Sequence, residues 1–256
     1  MKLKKMREVG KAVAYILKTL KKEIKVGMNG QELEKRALGL MKEKKVKSSI
    51  KGYRGFPAAI CVSLNNEITH GIPDSRPFKT GDLVSFDVAC HKKDKWGTSY
   101  HADAALTIIV GQEEDGLLDQ EKKTKLLMVA QTALQRVIEK IQPGITTTQD
   151  IGNTIEEYVN SEKHHVIKEY GGHGIGHEMH ETPFIPNYKI SDKYSVVIHE
   201  NTAICVEPLV QIDNAEVELS AENNWTVFSP QGKLNAHFEH TIWIGKEKAE
   251  VLTSDE

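Results

Sequence analysis

Hydrophobic and polar positions along the first 45 residues predict a pair of amphipathic helices. In the first helix the apolar side chains recur every three or four residues and share one face: Met6, Val9, Val13, Ile16, Leu17, Leu20 and Ile24. The second helix runs to about Lys45. Its start is indicated by Asn29 and Glu32, which have the three-residue separation of a helix cap and its reciprocal partner.

The same order of elements returns further along the chain. A third helix is predicted from another apolar stripe: Leu126, Val129, Ala133, Leu134, Val137, Ile138 and Ile141. A fourth helix carries Ile151, Ile155 and Val159. Strand-like segments follow each pair, namely AAICVSL, DLVSFDVAC and AALTIIVG after the first, and YSVVI, TAICVEPLVQI and HFEHTIWIG after the second.

This repeated order predicts a duplicated unit of two helices and antiparallel strands. The turns VGMNGQEL and PGITTTQDI support it, since both run glycine, apolar, polar, acid, apolar. We therefore predict one α+β domain over residues 1–256, with pseudo-twofold halves of about 1–110 and 117–250. Ligand sites favour such interfaces between halves.

Four carboxylates lie inside the predicted strands, where charge is costly to bury. They are Asp87, Asp103, Glu207 and Glu239. Any one of them alone is more simply interpreted as a strand position whose charge faces water. Together they carry a charge of -4, which two divalent cations would neutralise. Oxygen ligands with an imidazole suit Mn, Fe(II), Co or Zn, and paired ions activate water for hydrolysis.

A run rich in histidine and glycine, GGHGIGHEMHE, supplies the candidate imidazole. It lacks the helical zinc motif His-Glu-x-x-His, because His177 and His180 are one residue too close. Its glycines disfavour a helix. In an extended chain His173 and His177 would lie about 13 Å apart, so one ion could not bind both. The run is therefore expected to contribute one metal ligand.

Composition limits the class of protein. The chain has 256 residues, 39% of them hydrophobic, and a net charge of -2, which suits one globular domain. No apolar run has the length of a membrane span, no secretory signal is visible, and three cysteines are too few for a disulfide framework. A reducing cytoplasm is expected. Residues 1–54 hold 17 Lys+Arg against 5 Asp+Glu, which is typical of a solvated basic helix pair or of a face that meets RNA.

Seven motifs occur in an order that resembles type I methionine aminopeptidase: NNEITHGIPD, FDVAC, YHAD, GGHGIG, MHE, CVEPLV and AHFEHT. The resemblance runs from about residue 3 to residue 246. It implies the pita-bread fold and removal of the initiator methionine from nascent polypeptides with a small second residue. It also implies attack by a metal-bound water and a cytoplasmic monomer that contacts no membrane. The basic residues 1–54 are a candidate ribosome contact.

The resemblance also implies a role for each site residue. The metal ligands are Asp87, Asp103, His173, Glu207 and Glu239, of which Asp103 and Glu239 bridge two divalent ions. Glu207 is in addition the general base, His180 binds the scissile carbonyl, and His70 lies near the scissile nitrogen. The pocket for the methionine side chain corresponds to one set of positions: Ile50, Tyr53, Phe56, Cys61, His70, Met179 and Trp225. His180 is a further substrate-binding residue.

The chain departs from the family between Asp87 and Asp103, where fifteen residues exceed the usual hairpin by about five. The excess, HKKDKWGTSY, is polar and predicts a longer exposed loop that could instead shade the mouth of the site. Ala102 and Ala104 replace a glycine and a hydroxyl residue beside the second aspartate. We expect His177 to pack in a loop, while His101 and His240 are expected to be structural or supporting: neither is a predicted ligand.

Two other functions are compatible with the sequence. One is a proline-specific peptidase of the same fold, although such enzymes usually carry an extra N-terminal domain. The other is a non-catalytic, ribosome-associated protein that uses the basic residues 1–54. Retention of all five ligands and both histidines disfavours the second.

Overall fold

The computed structural model describes residues 1–111, 117–214 and 216–254. Its helices are α1 (Lys2–Glu23), α2 (Gly30–Lys44), α3 (Leu117–Lys140) and α4 (Thr148–Ser161). All four lie where the apolar spacing predicts them. Asn29 caps α2: its side chain accepts the backbone N–H of Glu32, and the Glu32 carboxylate accepts that of Asn29. The predicted reciprocal cap is confirmed.

The strands before α3 are β1 (Lys47–Ser48), β2 (Cys61–Leu64), β3 (Glu67–Thr69), β4 (Leu83–Lys93) and β5 (Ser99–Ile109). After α4 come β6 (His165–Val166), β7 (Gly172–Gly174), β8 (Glu181–Ile185), β9 (Thr202–Val206) and β10 (Leu209–Gln211). The last are β11 (Glu218–Leu219), β12 (Val227–Phe228), β13 (Asn235–His237), β14 (Glu239–Ile244) and β15 (Ala249–Val251).

One antiparallel sheet of nine strands organises the molecule, in the order β1-β4-β5-β14-β9-β7-β8, with β2 beside β4 and β15 beside β14. The β5–β14 pair joins strands from the two predicted halves. Its register is short and sets Glu239 opposite Ala105, while Asp87 on β4 also lies opposite Ala105. Acidic residues from three neighbouring strands therefore meet near the middle of the sheet.

Two apolar clusters pack the helix pairs against the sheet. α1 and α2 bury residues such as Met6, Leu20 and Leu40 against β4 and β5. α3 and α4 bury Leu126 and Ile155 against the strands of the second half. At about 25 cal/mol per Å² of apolar surface, such burial is the main favourable term that holds the sheet in place. No helix within the described ranges is long and apolar enough to cross a membrane.

Three predicted elements differ from the structure. YSVVI is not a strand: it holds the end of a short 3-10 helix (Asp192–Tyr194) and a single bridge from Val197 to Thr147. TAICVEPLVQI is two strands, broken after Val206 because Pro208 has no amide hydrogen for a ladder. HFEHTIWIG is likewise divided between β13 and β14.

The prediction of a longer loop between Asp87 and Asp103 is wrong. The hairpin is lengthened through its strands, which stay paired as far as Lys93 and Ser99. Only residues 94–98 form the turn. Asp94 closes it, because its Oδ1 accepts the backbone N–H groups of Trp96 and Thr98 at 2.9 and 3.0 Å.

Candidate metal centre

Acidic side chains and one imidazole converge where β5, β7, β9 and β14 run side by side. Asp103, His173, Cys205 and Glu239 each offer a ligand atom, and these atoms lie within 4.8 Å of one another. All four residues are buried. Three of them are predicted ligands from distant parts of the sequence. Cys205 is an addition that the sequence did not suggest.

Asp87 adjoins this group from β4. Its carboxyl lies close enough to that of Asp103 for each to shift the pKa of the other. Buried oxygens of Asp87, Asp103 and Glu239 have no hydrogen-bond partner. An unpaired buried carboxylate is unfavourable unless a cation or a proton compensates it. The unpaired oxygens therefore suit a site built for cations.

The pKa values of these carboxyls reflect the crowding of negative charge. Burial raises the pKa of Asp87 to about 6. Burial and the neighbouring carboxylates raise the pKa values of Asp103 and Glu239 well above their usual range. In such a cluster, the negative charge of one carboxylate disfavours ionisation of the next. Groups with strongly shifted pKa values are typical of functional sites. A bound divalent cation would reverse the effect and hold the carboxylates ionised.

The imidazole of His173 is oriented for coordination. Its Nδ1 lies 2.8 Å from the carbonyl oxygen of Gly174. Because a carbonyl can only accept, Nδ1 carries the hydrogen and Nε2 keeps its lone pair. Nε2 lies 4.0 Å from Glu207 Oε1. A backbone partner of this kind commonly fixes a metal-binding histidine.

The glycines of the histidine-rich run have a packing reason. β7 lies between β8 and β9, and a Cβ at Gly172 would stand 2.1 Å from the carbonyl oxygen of Cys205. At Gly174 it would stand 2.2 Å from that of Thr182. The run is extended, as predicted, and the strand can approach its neighbours only without side chains at these positions.

His237 is a site residue that the sequence analysis missed. It is only 2% exposed, and its Nε2 faces Glu207 Oε2 at 3.4 Å. The hydroxyl of Thr107 accepts its backbone N–H and donates to its carbonyl. A signal existed: His237 stands two residues before Glu239 in AHFEHT, which is the spacing of one strand face.

Glu207 behaves differently from the other carboxylates. Burial opposes its ionisation, but the nearby imidazoles, His237 first and then His173 and His70, outweigh burial and lower its pKa. Glu207 lies outside β9, in the break before Pro208. Its carboxylate faces His237 and His173, and it also lies close enough to Asp87, Asp103 and Glu239 to raise their pKa values.

His70 and His180 lie around this centre. The ring of His180 is 4.2 Å from that of His173 and 5.0 Å from that of Tyr53, centroid to centroid. Burial, followed by the charge of His173, lowers the pKa of His180 to about 4. Burial also lowers the pKa of His70. Both imidazoles are therefore neutral near pH 7, and each has one N–H to donate.

The backbone at His70 is unusual, since its φ of 56° is rare for a residue other than glycine. The next residue, Gly71, packs so closely that a Cβ would stand 2.2 Å from the carbonyl oxygen of Val62. This conformation turns the chain sharply after β3. Unfavourable backbone geometry of this kind is concentrated at functional sites.

An apolar cluster adjoins the acidic group. One cluster of packed side chains contains most of the predicted pocket: Ile50, Phe56, Cys61 and Met179 are buried, and Tyr53 and Trp225 are partly buried. Phe56 and Trp225 meet edge to face at 5.2 Å. Cys61 lies opposite Asp87 in the β2–β4 register, so the apolar cluster directly adjoins a predicted metal ligand. Ala58, Ile72 and Ala89 also belong to the cluster, and sequence reasoning did not find them.

The three histidines expected from the sequence to be structural or supporting lie outside the centre. His177 Nδ1 bonds the carbonyl oxygen of Ser99 at 2.9 Å, and His240 Nδ1 lies 2.9 Å from Thr253 Oγ1. His101 Nδ1 lies 2.8 Å from Ser49 Oγ. Packing of these three rings is as expected.

Comparison with known proteins identifies the class. A model of metallopeptidase family M24 matches residues 4–246. The chain belongs to metallopeptidase family M24. This membership implies a divalent metal cofactor, and the donor set of the buried centre fits one, because it combines carboxylate oxygens with an imidazole nitrogen.

Within the family, the chain groups with methionine aminopeptidases. It is 39% identical over 254 residues to the methionine aminopeptidase of Mycoplasma capricolum, a match that covers 99% of this chain and 96% of that protein. The crystal structure of methionine aminopeptidase from Thermotoga maritima has a TM-score of 0.89 and 36% identity, covering 99% of this chain and 97% of that one. The resemblance drawn from the seven motifs is confirmed.

A prolidase from Pyrococcus furiosus has the same fold with a TM-score of 0.73 at 20% identity. The alignment covers 100% of this chain but 64% of that one. These neighbours confirm the α+β pita-bread fold, with its curved central sheet. The likeness to the prolidase concerns the fold alone.

Proposed function

We propose that this chain is a methionyl aminopeptidase that removes the N-terminal methionine from nascent proteins and peptides by hydrolysis. The observation that carries the proposal is the adjacency of two features. A buried group of carboxylates and one imidazole directly adjoins an apolar cluster that contains a sulfur, at the Cys61–Asp87 pair. A methionine side chain is apolar and polarisable, so aromatic rings and Met179 suit it.

Two divalent ions are proposed for the centre. Asp103 and Glu239 would be shared between them, His173 and Glu207 would complete one coordination shell, and Asp87 would bind the other ion. When bound, the ions supply Lewis acidity and lower the pKa of a water toward neutrality. Four carboxylates balance two divalent charges. Which of Mn, Fe(II), Co or Zn is used depends on availability as well as geometry.

The chain's own groups position the substrate and move protons. The pocket (Tyr53, Phe56, Cys61, Met179 and Trp225) binds the methionine side chain. Glu207, which has a lowered pKa and faces His237, accepts a proton from the attacking water.

The two neutral imidazoles act at the scissile bond. His180 donates a hydrogen bond to the scissile carbonyl oxygen and stabilises the negative charge that develops on it. His70, which lies near Glu207, contacts the scissile nitrogen.

A combined metal and activity measurement tests the proposal. The chain is reconstituted anaerobically with each metal, and metal stoichiometry and Met-Ala-Ser cleavage are measured on the same sample. We expect two ions per chain and release of methionine. Cleavage of Ala-Pro in place of Met-Ala-Ser would indicate a proline-specific peptidase, and absence of both metal and activity would indicate a non-catalytic protein.

Substrate selection at the second residue is part of the proposal. A small second residue is expected to be required. Met-Gly, Met-Ala, Met-Val, Met-Lys and Met-Trp form the test series, with the first two expected to be cleaved fastest. Equal rates across the series would contradict the selection while leaving the aminopeptidase activity intact.

The basic residues 1–54 are proposed as a contact with the ribosome. The exposed cations of α1 and α2 include Lys11, Lys21, Lys22, Lys35 and Lys42. Co-sedimentation with ribosomes should weaken as salt rises from about 50 to about 200 mM. Lys11→Glu, Lys21→Glu and Lys22→Glu together should abolish it, whereas Lys122→Glu on α3 serves as the matched control. Sedimentation that is independent of salt would contradict the contact.

A further inference from the structure

The segment 175–180 connects β7 to β8 and carries two predicted site residues. Met179 is 5% exposed and belongs to the pocket cluster. His180 is held by ring contacts with Tyr53 and His173. A connecting segment has few regular backbone hydrogen bonds, so other groups must hold these two side chains in place.

Glu181 holds the segment from its C-terminal end. Its Oε1 accepts the backbone N–H of His177 at 2.6 Å and that of Glu178 at 3.0 Å. Glu181 and Lys2 both lie against Gly176. A Cβ at Gly176 would stand 2.9 Å from both carboxylate oxygens of Glu181 and 2.6 Å from Lys2 Nζ. The carboxylate thus binds the turn that precedes Met179, with a cation from α1 close by.

The lengthened hairpin holds the segment from the other side. His177 Nδ1 bonds the carbonyl oxygen of Ser99 at 2.9 Å, so this nitrogen carries the hydrogen. The backbone N–H of His101 bonds the carbonyl oxygen of Gly176 at 2.9 Å. The Tyr100 ring packs edge to face on His177 with centroids 4.9 Å apart. All three contacts come from the first residues of β5.

The end of the hairpin is itself well ordered by hydrogen bonds. Asp94 closes the turn through its side chain, and its backbone N–H bonds the carbonyl oxygen of Thr98 at 2.9 Å. β1 pairs with the hairpin beside this end, opposite Cys90 and His91. The residues that lengthen the hairpin therefore form a firm support.

We infer that His177 and Glu181 are positioning residues, which hold the segment 175–180 so that Met179 closes the methionine pocket and His180 meets the scissile carbonyl. The inference rests on the proposed function for the roles of Met179 and His180. It explains both the third histidine of the run and the additional hairpin residues. The support from Ser99 would be lost if the strands of the hairpin were shorter.

His177 variants test the inference at an exposed position that the fold tolerates. His177→Ala removes the donor to Ser99 and is expected to lower kcat/KM for Met-Ala-Ser about tenfold, as for one lost hydrogen bond. His177→Asn places an amide donor near the position of Nδ1 and should recover most of the activity. His199→Ala, an exposed histidine elsewhere, is the matched control and should equal wild type.

Glu181 variants test the second support. Glu181→Ala loses the acceptor for two N–H groups and is expected to lower kcat/KM more than His177→Ala does. Glu181→Gln keeps a side-chain oxygen and should recover activity even if the alanine variant folds poorly. Glu178→Gln is the control. Metal stoichiometry should be unchanged in every variant, since neither side chain binds an ion.

Amide hydrogen exchange of residues 175–180 supplies a readout that does not depend on activity. Exchange should accelerate in His177→Ala and Glu181→Ala and return toward wild type in His177→Asn and Glu181→Gln. Wild-type exchange and wild-type kcat and KM in His177→Ala would overturn the inference, as would equal losses in His199→Ala. A wild-type chain that fails to cleave Met-Ala-Ser would instead overturn the proposed function, while exchange still tests the support.

Discussion

Single side chains at the centre divide into two electrostatic groups. Asp87, Asp103 and Glu239 crowd together. Burial raises the pKa of all three, and neighbouring carboxylates raise those of Asp103 and Glu239 further. Glu207 faces His237 and His173 and has a lowered pKa. The first group therefore holds protons more tightly than ordinary carboxyls do, whereas Glu207 ionises more readily. The proposed base is the one of the four carboxyls whose pKa is lowered.

Substitution of the two central histidines should separate metal binding from turnover. His173→Ala is expected to lose metal and activity together, because it removes a proposed ligand. His180→Ala should keep its metal and lose about 10² to 10³ in kcat, as for loss of an oxyanion donor. Metal content by elemental analysis and kcat on Met-Ala-Ser distinguish the two. Normal turnover by His180→Ala would show that the scissile carbonyl is bound elsewhere.

His237 offers a sharper test of how Glu207 is held. His237→Leu removes the imidazole that faces the carboxylate at 3.4 Å and favours its ionised form. It should lower kcat/KM roughly tenfold, since a change of one unit in a carboxyl pKa corresponds to about 1.4 kcal/mol. It should also weaken binding of one ion, measured by competition with a chelator. His237→Gln retains a donor and is the matched variant. Equal metal affinity and rate in the leucine variant would contradict this role.

At the scale of elements, close packing decides which glycines are required. Gly152 in α4 and Gly39 in α2 look alike in sequence, since each interrupts a helix. A Cβ at Gly152 would stand 2.1 Å from the carbonyl oxygen of Tyr188, but one at Gly39 would meet nothing within 4 Å. The segment after β8 thus lies directly on α4. Gly152 makes this approach possible, whereas Gly39 has no such role.

The two helix glycines should therefore respond in opposite directions to the same substitution. Gly39→Ala is expected to raise the free energy of unfolding by about 0.5–1 kcal/mol through helix propensity. Gly152→Ala should lower it by about 1–3 kcal/mol, because overpacking against a backbone carbonyl outweighs that gain. Urea denaturation of both variants measures the difference. Stabilisation by Gly152→Ala would mean that α4 does not lie so close to Tyr188.

For the whole molecule, folding and metal binding are linked through the buried carboxyls. Without metal, the raised pKa of Asp87 at about 6, and those of Asp103 and Glu239, mean that the folded state holds protons that the unfolded chain has released. Their contribution to stability is present below the usual carboxyl pKa and is lost as pH rises through the raised values. Metal binding requires the ionised forms, so its contribution grows with pH.

The difference in Tm between metal-loaded and metal-free protein should therefore widen from about pH 5 to about pH 7. Groups far from the centre affect both samples alike and cancel in the difference. Thermal unfolding with Mn(II) or with a chelator at each pH measures it. A difference that stays constant over this range would mean that the carboxyls do not bind the ion.

The sequence by itself determined the helices, most strands, the α+β fold and the family. These features depend on local information: a spacing of three or four residues, the Asn29–Glu32 cap, and seven ordered motifs. The sequence also indicated which carboxylates meet in the sheet. A buried charge in an apolar strand is unfavourable, so an acid at such a position stands out. Two features could not be read from the sequence: YSVVI is not a strand, and the strand TAICVEPLVQI is broken at Pro208. A short apolar run does not show which other strand, if any, it pairs with.

Only the tertiary structure decided which distant groups meet. The approach of His237 to Glu207, of Cys205 to the acidic group, and of the hairpin to the segment 175–180 depends on strand register. That register is set by pairing between residues far apart along the chain. Strand pairing likewise explains why the predicted loop between Asp87 and Asp103 is a hairpin. The backbone N–H and C=O groups of its two strands bond to each other as far as Lys93 and Ser99.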